Sequence, residues 1–299
     1  MSALWLVVIC IGAGAIAARF RHPEGLVPGL NWWVLHVALP ALVLQQIILL
    51  EWSNDLLFPA VSMWLVFAGA WLLISLVGRW RGWSRGQVGA LVLTAGLGNT
   101  SFVGYPLIEA LRGHDALGVA VIADQLGSFL ALSSAGVIVA ALYSGLRVHP
   151  AALAKRVVTF PAFIALVAAL LLRQAGGLPP VLMEVAGRLG LTLTPLALFS
   201  VGMQLRLRAS GHDLGPMLYG LGWKLMLAPL MIWGIAVAIG APPASGDIAV
   251  LQAAMAPMIT AGILAQQHGL APSLANHIVG IGILLSLVTV PLANYLLGL

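Results

Sequence analysis

The chain has 299 residues, of which 61% are hydrophobic and 8% are charged, and its mean hydropathy is +1.04. A soluble domain is about 45–50% apolar and about 25% charged, so this composition excludes an ordinary soluble protein and indicates a polytopic helical membrane protein. The net charge of +5 is typical of membrane topology signals rather than of nucleic-acid binding, and a single cysteine, Cys10, excludes a disulfide framework.

Ten apolar segments follow one another along the chain and predict ten transmembrane helices in an all-α membrane protein. The predicted spans are residues 2–18, 30–50, 58–77, 87–111, 117–143, 159–172, 181–205, 215–239, 247–267 and 273–297. The first and sixth spans are short, and the fourth and ninth are interrupted by glycine or proline.

Basic residues are concentrated in the loops that follow odd-numbered spans. These are Arg19, Arg21, Arg79, Arg81, Arg85, Arg147, Lys155, Arg156, Arg206 and Arg208, whereas the loops after even-numbered spans hold Arg112 and Arg173. Because Lys and Arg in short loops stay on the cytoplasmic side, we expect both termini to face outside.

The two halves of the chain have the same layout of short, proline-containing, long, interrupted and long spans. The sequence therefore predicts a first five-helix repeat over 1–145, a cytoplasmic linker over 146–158, and a second repeat over 159–299. An odd number of spans in each half makes the second repeat insert in the opposite orientation, which gives an inverted repeat.

Helix-breaking residues fall at matching places in the fourth and ninth spans. They are Gly96, Gly98, Gly104 and Pro106 in the fourth span and Pro257 in the ninth. An interrupted helix is tolerated in a membrane where it lines a cavity or packs within protein, and paired interruptions indicate a transporter's binding site.

Polar side chains accompany both interruptions and are our candidate substrate ligands, together with Pro257. They are Asn99, Thr100 and Ser101 in the fourth span and Gln252 and Thr260 in the ninth. Half-helix N-termini at such a crossing carry partial positive charge and favour an anion. The alternative interpretation is that these small residues serve close helix packing.

Of the charged residues within the predicted spans, Asp124 and Lys224 have two interpretations each. Asp124 in the fifth span either binds a coupling proton or sodium ion or hydrogen-bonds a broken helix. Lys224 in the eighth either snorkels to the membrane surface or attracts an organic anion. Glu109 and Glu184 are expected to be solvated carboxylates near the outer surface, and Glu184 is spaced to pair with Arg188 on one helix face.

The sequence contains no HExxH, GxSxG or Walker A motif and no cluster of metal ligands. We therefore expect neither an enzyme nor a bound cofactor or metal, and the histidines are interpreted as loop residues or helix-packing groups.

The chain resembles the auxin efflux carrier family, in its bacterial branch. The resemblance rests on Leu39-Pro40-Ala41-Leu42, Gly98-Asn99-Thr100, Gly104-Tyr105-Pro106-Leu107, Asp124-Gln125, Pro195-Leu196-Ala197-Leu198-Phe199, Lys224-Leu225, Ala228-Pro229, Gln252-Ala253-Ala254-Met255-Ala256-Pro257 and Pro291-Leu292. These pieces are spread over nearly the whole chain in a fixed order.

The resemblance implies the fold of bile acid:sodium symporters, in which helices 1, 2, 6 and 7 form a scaffold through which a homodimer is expected, and helices 3–5 and 8–10 form a mobile transport domain. The fourth and ninth helices cross mid-membrane, and Asn99 and Pro257 match the family's site residues. Only about fifteen residues separate the two halves, whereas plant members have a long loop, so auxin is not the expected substrate.

The function implied is secondary active transport of a small organic anion, such as malate or malonate, across the cytoplasmic membrane by an elevator mechanism. Coupling to H⁺ or Na⁺ would involve Asp124 or Lys224. The alternatives are a cation-coupled carrier of the bile-acid or arsenite type and a membrane receptor or sensor without transport. The expected partners are the substrate and the lipid bilayer, with no nucleic acid.

Overall fold

The computed structural model describes residues 2–146, 150–205 and 214–298, and this part of the chain is all-helical, without a β-strand. Arg147, Arg206 and Arg208, which contributed to the predicted orientation, lie outside the described residues, as do residues 147–149 of the predicted linker.

The helices are numbered here in chain order. They are α1 (Ser2–Ala17), α2 (Leu26–Leu49), α3 (Asn54–Arg81), α4 (Arg85–Gly96), α5 (Tyr105–Arg112), α6 (His114–Ser144), α7 (Pro150–Val158), α8 (Pro161–Gln174), α9 (Pro180–Met203), α10 (Leu214–Ile239), α11 (Pro243–Ala253), α12 (Ile259–Gln267) and α13 (Pro272–Leu297). Within the described residues six helices are long and apolar enough to cross a membrane, namely α2, α3, α6, α9, α10 and α13.

The remaining apolar segments are shorter. Leu4–Ala17 within α1 and Pro161–Gln174 are apolar helices of less than spanning length. The predicted fourth span is divided into α4 and α5, and the predicted ninth span into α11 and α12. Residues 150–158, predicted as part of a linker loop, form helix α7 instead, because three alanines and a leucine there are good helix formers.

Three of the prolines that lie inside helices share one local arrangement. Each follows a five-residue π-helical turn by two positions: Pro40 after Val34–Ala38, Pro106 after Thr100–Gly104, and Pro229 after Trp223–Leu227. A proline lacks an N–H and clashes with the carbonyl four residues back, and the wider π turn accommodates both changes. The prediction that Gly104 and Pro106 break the fourth span is therefore wrong, since the segment Thr100–Gly104 runs directly into α5.

The turn between α3 and α4 is determined by local sequence. Gly82 ends α3 in the left-handed conformation, at φ 69°, which glycine adopts without strain. Ser84 then begins α4 with a capping box: its hydroxyl accepts the N–H of Gln87, and the Gln87 side chain accepts the N–H of Ser84 at 3.0 Å.

The chain groups into two compact units. Unit 1 comprises Met1–Ser53, Ser101–Val121 and Lys155–Leu205, and unit 2 comprises Asn54–Thr100, Ile122–Ala154 and Arg206–Leu299. Unit 1 thus contains α1, α2, α5, α8 and α9, and unit 2 contains α3, α4, most of α6 and α10–α13.

Unit 1 is held together by close helix packing and by a few polar contacts. Helix α1 packs on α9, and α8 and α9 pack on α2. The guanidinium of Arg173 in α8 donates to the carbonyl of Ile48 at 3.1 Å and to that of Leu50, so it satisfies carbonyls that the end of α2 leaves without helical partners. The Ser200 hydroxyl donates to the Asn31 side chain at 2.6 Å.

Unit 2 has a large apolar core around α4. Leu91, Leu93 and Leu97 are buried there, together with Leu221 of α10 and Ile278 of α13. Helix α4 is buried from Val88 to its last residue, Gly96. Because α4 is surrounded by protein, its end must find hydrogen-bond partners within the unit rather than in water.

Candidate functional site

Two helix interruptions meet inside unit 2. Helix α4 ends at Gly96, and the chain is not helical again until Thr100. Helix α11 ends at Ala253, and α12 begins at Ile259. The two non-helical segments pair as an isolated antiparallel bridge between Gly98 and Pro257. We call this pair of segments, residues 97–99 and 254–258, the crossing.

The backbone groups freed by the interruptions bond to each other across the crossing. The N–H of Asn99 donates to the carbonyl of Ala256 at 2.7 Å, and the N–H of Met258 donates to the carbonyl of Leu97 at 2.9 Å. Buried backbone groups without partners are costly, and this exchange satisfies two donors and two acceptors. The tightest neighbour of Gly98 is a side chain, since a Cβ at that position would lie 3.0 Å from Lys224 Nζ.

Lys224 of α10 lies against the crossing. Its Nζ donates to the carbonyl of Ala253, the last residue of α11, at 2.8 Å. The side chain is 0% exposed, so the interpretation that Lys224 snorkels to the surface is wrong. An ammonium group at a helix C-terminus compensates for the carbonyls and the negative end of the helix dipole.

Asp124 of α6 supports the start of the segment that follows the crossing. Thr100 Oγ1 donates to Asp124 Oδ1, and Gln125 Nε2 donates to Asp124 Oδ2 at 2.7 Å. Asp124 and Gln125 lie in a π-helical part of α6, Ala123–Phe129, and both are buried. Asp124 therefore hydrogen-bonds a residue of a broken helix, as one of its two interpretations expected.

Several buried polar atoms of this region have no hydrogen-bond partner among the described residues. They are Asn99 Nδ2, Gln125 Oε1 and Ser128 Oγ. Buried polar groups in proteins are nearly always hydrogen-bonded. A donor on Asn99 and acceptors on Gln125 and Ser128 are therefore groups that a polar solute could engage.

The other predicted ligands are placed as follows. Gln252 is buried, and its Nε2 donates to the carbonyl of Thr100 at 3.4 Å. This bond links the end of α11 to the segment that follows Asn99. Pro257 is in the bridge itself, and its ring packs against α13, where a Cβ on Gly282 would lie 2.4 Å from Pro257 Cδ. Thr260 is exposed in the first turn of α12, and Ser101 is half-buried and belongs to unit 1.

The predicted ion pair between Glu184 and Arg188 is present, with 2.6 Å between Oε1 and Nη2 on an exposed face of α9. Glu109, by contrast, belongs to a polar cluster that sequence reasoning missed. Glu109 Oε1 lies 2.9 Å from Nδ1 of His114, whose Nε2 lies 2.8 Å from Gln46 Nε2, all within unit 1.

Thr194 Oγ1 completes this cluster by donating to Glu109 Oε2 at 3.5 Å. The spacing of five residues between Glu109 and His114 was the available signal, because it brings the carboxylate and the imidazole together across the turn between α5 and α6. The contacts of α2 and α9 with this pair come from tertiary packing and leave no local pattern in the sequence.

Comparison with known proteins agrees with a membrane role. A family model described as a membrane transport protein matches residues 4–152 and 146–293, which together cover nearly the whole chain. An uncharacterized transporter of Methanothermobacter thermautotrophicus is 26% identical over 270 residues, which span 90% of this chain and 88% of the relative. Both are named for transport, and neither name gives a substrate.

Proposed function

Because the chain belongs to the membrane transport protein family, which is the auxin efflux carrier family of the resemblance described above, we propose that it is a secondary active transporter of a small organic anion. The observation that carries this proposal is the crossing in unit 2, where Asn99 Nδ2 is buried beside two interrupted helices and has no hydrogen-bond partner in the described parts of the chain. The proposal includes alternating access by an elevator-type motion in the cytoplasmic membrane.

The chemistry of the crossing suits a carboxylate. The Asn99 amide offers an N–H donor, and no side chain caps the first turn of α12, so its backbone N–H groups remain available to an anion. Lys224 Nζ adds a hydrogen-bond donor next to Gly98, where a Cβ would lie 3.0 Å from it. In this proposal Thr100, Ser101, Gln252 and Thr260 line the path of the substrate.

The proposed architecture has ten spans in two inverted repeats with both termini outside. In this proposal the ten spans would be the six long helices, the two shorter apolar helices and the two interrupted pairs. The first, second, sixth and seventh spans, which are α1, α2, α8 and α9, are the proposed scaffold, through which a homodimer would form. The third to fifth and the eighth to tenth spans are the proposed transport domain.

The first experiment measures counterflow of labelled malonate and malate in proteoliposomes for wild type and Asn99→Ala. We expect the variant to lose at least about 90% of uptake, because a buried donor to a carboxylate contributes about 1.5–3 kcal/mol. Its fold should persist, since Asn99 Nδ2 bonds no atom of the described residues and the Asn99 backbone N–H still donates to the carbonyl of Ala256.

The matched control is Asn54→Ala, which removes an exposed asparagine at the start of α3 and should transport as wild type does. Wild-type transport by Asn99→Ala would refute the site. Absence of counterflow by the wild-type protein with every carboxylate tested would instead favour a receptor.

A second experiment concerns coupling at Asp124. Asp124→Asn keeps an oxygen that accepts from Thr100 Oγ1 but removes the negative charge. If Asp124 binds H⁺ or Na⁺, the variant should lose any dependence of uptake on a proton or sodium gradient while the protein stays folded. Gradient dependence equal to that of wild type would leave Asp124 with only its role of holding the segment after the crossing.

A further inference from the structure

A groove on unit 2 lies apart from the crossing and has the shape and charge of a lipid site. Its cavity measures about 760 Å³, within the range of about 300–1,000 Å³ that ligand pockets occupy. It is lined by α3 from Ala68 to Arg79, by Trp83 and Arg85 at the turn into α4, by Val88, and by Leu142 and Tyr143 at the end of α6.

The walls of the groove are fixed by contacts that do not depend on a ligand. Tyr143 Oη lies 2.9 Å from Ser75 Oγ, and Trp83 packs edge-on against Tyr219 with ring centroids 5.6 Å apart. Val88 packs directly against Gly78, because a Cβ on Gly78 would lie 2.6 Å from Val88 Cγ2. The groove is therefore preformed.

One end of the groove is apolar and the other is cationic. Ala68 and Leu72 are exposed on the outer face of α3, with Leu72 65% exposed. Arg79 and Arg85 lie at the other end. Arg85 Nη2 donates to the carbonyl of Leu142 at 2.6 Å, which fixes its guanidinium, and Arg79 has no hydrogen-bond partner among the described residues.

The length of the groove matches one leaflet of a bilayer. Ala68 and Arg79 are eleven residues apart on a continuous helix, which corresponds to roughly 16 Å at 1.5 Å per residue. Half of a bilayer's hydrocarbon core is about 15 Å thick. An acyl chain lying along Leu72 would thus bring its headgroup to the two arginines, beside indole rings of the kind that favour the membrane interface.

We propose that this groove binds one anionic phospholipid, with its phosphate at Arg79 and Arg85 and an acyl chain along Ala68 and Leu72. Basic pockets between membrane helices recognise anionic headgroups. A small soluble anion would leave the apolar part of the groove exposed.

Native mass spectrometry of the full chain in mild detergent, titrated with POPG or POPC, tests the proposal. We expect one POPG to be retained more tightly than POPC. Each arginine near a membrane surface contributes about 1 kcal/mol, so Arg79→Gln should weaken POPG binding about fivefold, and Arg79→Gln with Arg85→Gln about thirtyfold. POPC binding should not change.

Two further variants separate lipid from other occupants. Ala68→Trp fills the apolar end and keeps both arginines, and it should also weaken POPG binding. Arg19→Gln with Arg21→Gln removes two exposed arginines outside the groove and should bind POPG as wild type does. Arg79→Gln removes no hydrogen bond to the part of the chain that the structure describes, so we expect this variant to fold as wild type does.

Equal retention of POPG and POPC by the wild type, or unchanged POPG binding in the double arginine variant, would overturn the proposal. Wild-type POPG binding by Ala68→Trp would do the same. Displacement of POPG by an equal concentration of sn-glycerol 3-phosphate would show that the arginines bind a free anion rather than a lipid, which also overturns it.

Discussion

Glycine brings backbones together in both units, but with different consequences. In unit 1, Gly14 of α1 and Gly202 of α9 are buried where the two helices touch. A Cβ on Gly14 would lie 2.1 Å from the carbonyl oxygen of Phe199, and a Cβ on Gly202 would lie 2.1 Å from that of Ile11. Both helices remain intact through this contact.

In unit 2, two backbone segments also meet, at the bridge between Gly98 and Pro257, but there both segments have left the helical conformation. The freed N–H and carbonyl groups pair across the crossing, and Asn99, Lys224 and Gln252 are buried around it. A continuous helix has already satisfied its backbone groups and offers a solute only side chains, whereas an interrupted helix also offers N–H groups at its next start.

The difference separates the two interpretations of small residues in membrane helices. Small residues in an intact helix, as at Gly14 and Gly202, account for close packing. Small residues accompanied by a proline, a helix end and buried polar side chains, as at Gly98 and Pro257, have the groups that a polar solute needs. Composition alone does not distinguish these cases, and the backbone conformation does.

The largest effect on stability is expected from Gly14→Ala. The added Cβ would meet backbone atoms of α9 that cannot rotate away, so the helices must separate. Overpacking of this kind costs about 3 kcal/mol or more. Thermal unfolding of the purified protein in detergent should show a large decrease in Tm.

Gly12→Ala is the matched control, because it lies in the same helix and a Cβ there meets nothing within 4 Å. Alanine is a better helix former than glycine by about 1 kcal/mol, so this variant should be at least as stable as wild type. Equal Tm values for Gly12→Ala and Gly14→Ala would show that the α1–α9 contact does not depend on glycine.

Gly282→Ala tests in the same way, by adding a Cβ at a close contact, how tightly Pro257 of the crossing is packed against α13. The new Cβ would lie 2.4 Å from Pro257 Cδ and 2.7 Å from Cγ, so the proline ring and its bridge to Gly98 must shift. We expect a loss of about 1–3 kcal/mol in stability and a larger relative loss of carboxylate uptake, because the ligands move with Pro257.

The control for this variant is Gly234→Ala in α10, where a Cβ meets nothing within 4 Å. Unfolding and uptake are measured on both proteins. Normal uptake by a folded Gly282→Ala protein would mean that the position of Pro257 is not critical to transport.

Uninterrupted apolar segments were predicted closely from the sequence. The spans predicted at 215–239 and 273–297 correspond to α10 (Leu214–Ile239) and α13 (Pro272–Leu297). Their apolar runs are long and end at glycine, proline or polar residues, so composition is sufficient to locate them. The interruptions near Gly98 and Pro257 also have strong local signals in glycine and proline.

Several features that depend on tertiary contacts were not predicted. A proline in the sequence does not reveal whether the helix ends there or continues through a wider π turn. For this reason Pro106 was wrongly predicted to break the fourth span. The bond from Lys224 to Ala253 joins residues 29 positions apart, and Gln46 meets His114 over 68 positions. Contacts between residues so far apart in the sequence do not follow the helical repeat, so no periodic pattern predicts them.

The smallest effect is expected from Thr94→Val, which tests whether polarity in the fourth span matters by itself. Thr94 is fully buried, but its Oγ1 donates to the carbonyl of Ala90 within the same helix, at 2.7 Å. That carbonyl keeps its helical N–H partner, so the change should alter stability by less than about 1 kcal/mol and leave uptake unchanged.

Thr100→Val makes the same substitution on the other side of the interruption, where the hydroxyl donates to Asp124. Removing a hydrogen bond to a buried carboxylate costs about 1.5–3 kcal/mol, so this variant should unfold at a clearly lower temperature and transport less. If Thr94→Val and Thr100→Val were equally harmless, hydroxyl groups of the fourth span would serve local helix geometry on both sides. The contrast between an intact helix and an interrupted one would then rest on the backbone groups and on Asn99 alone.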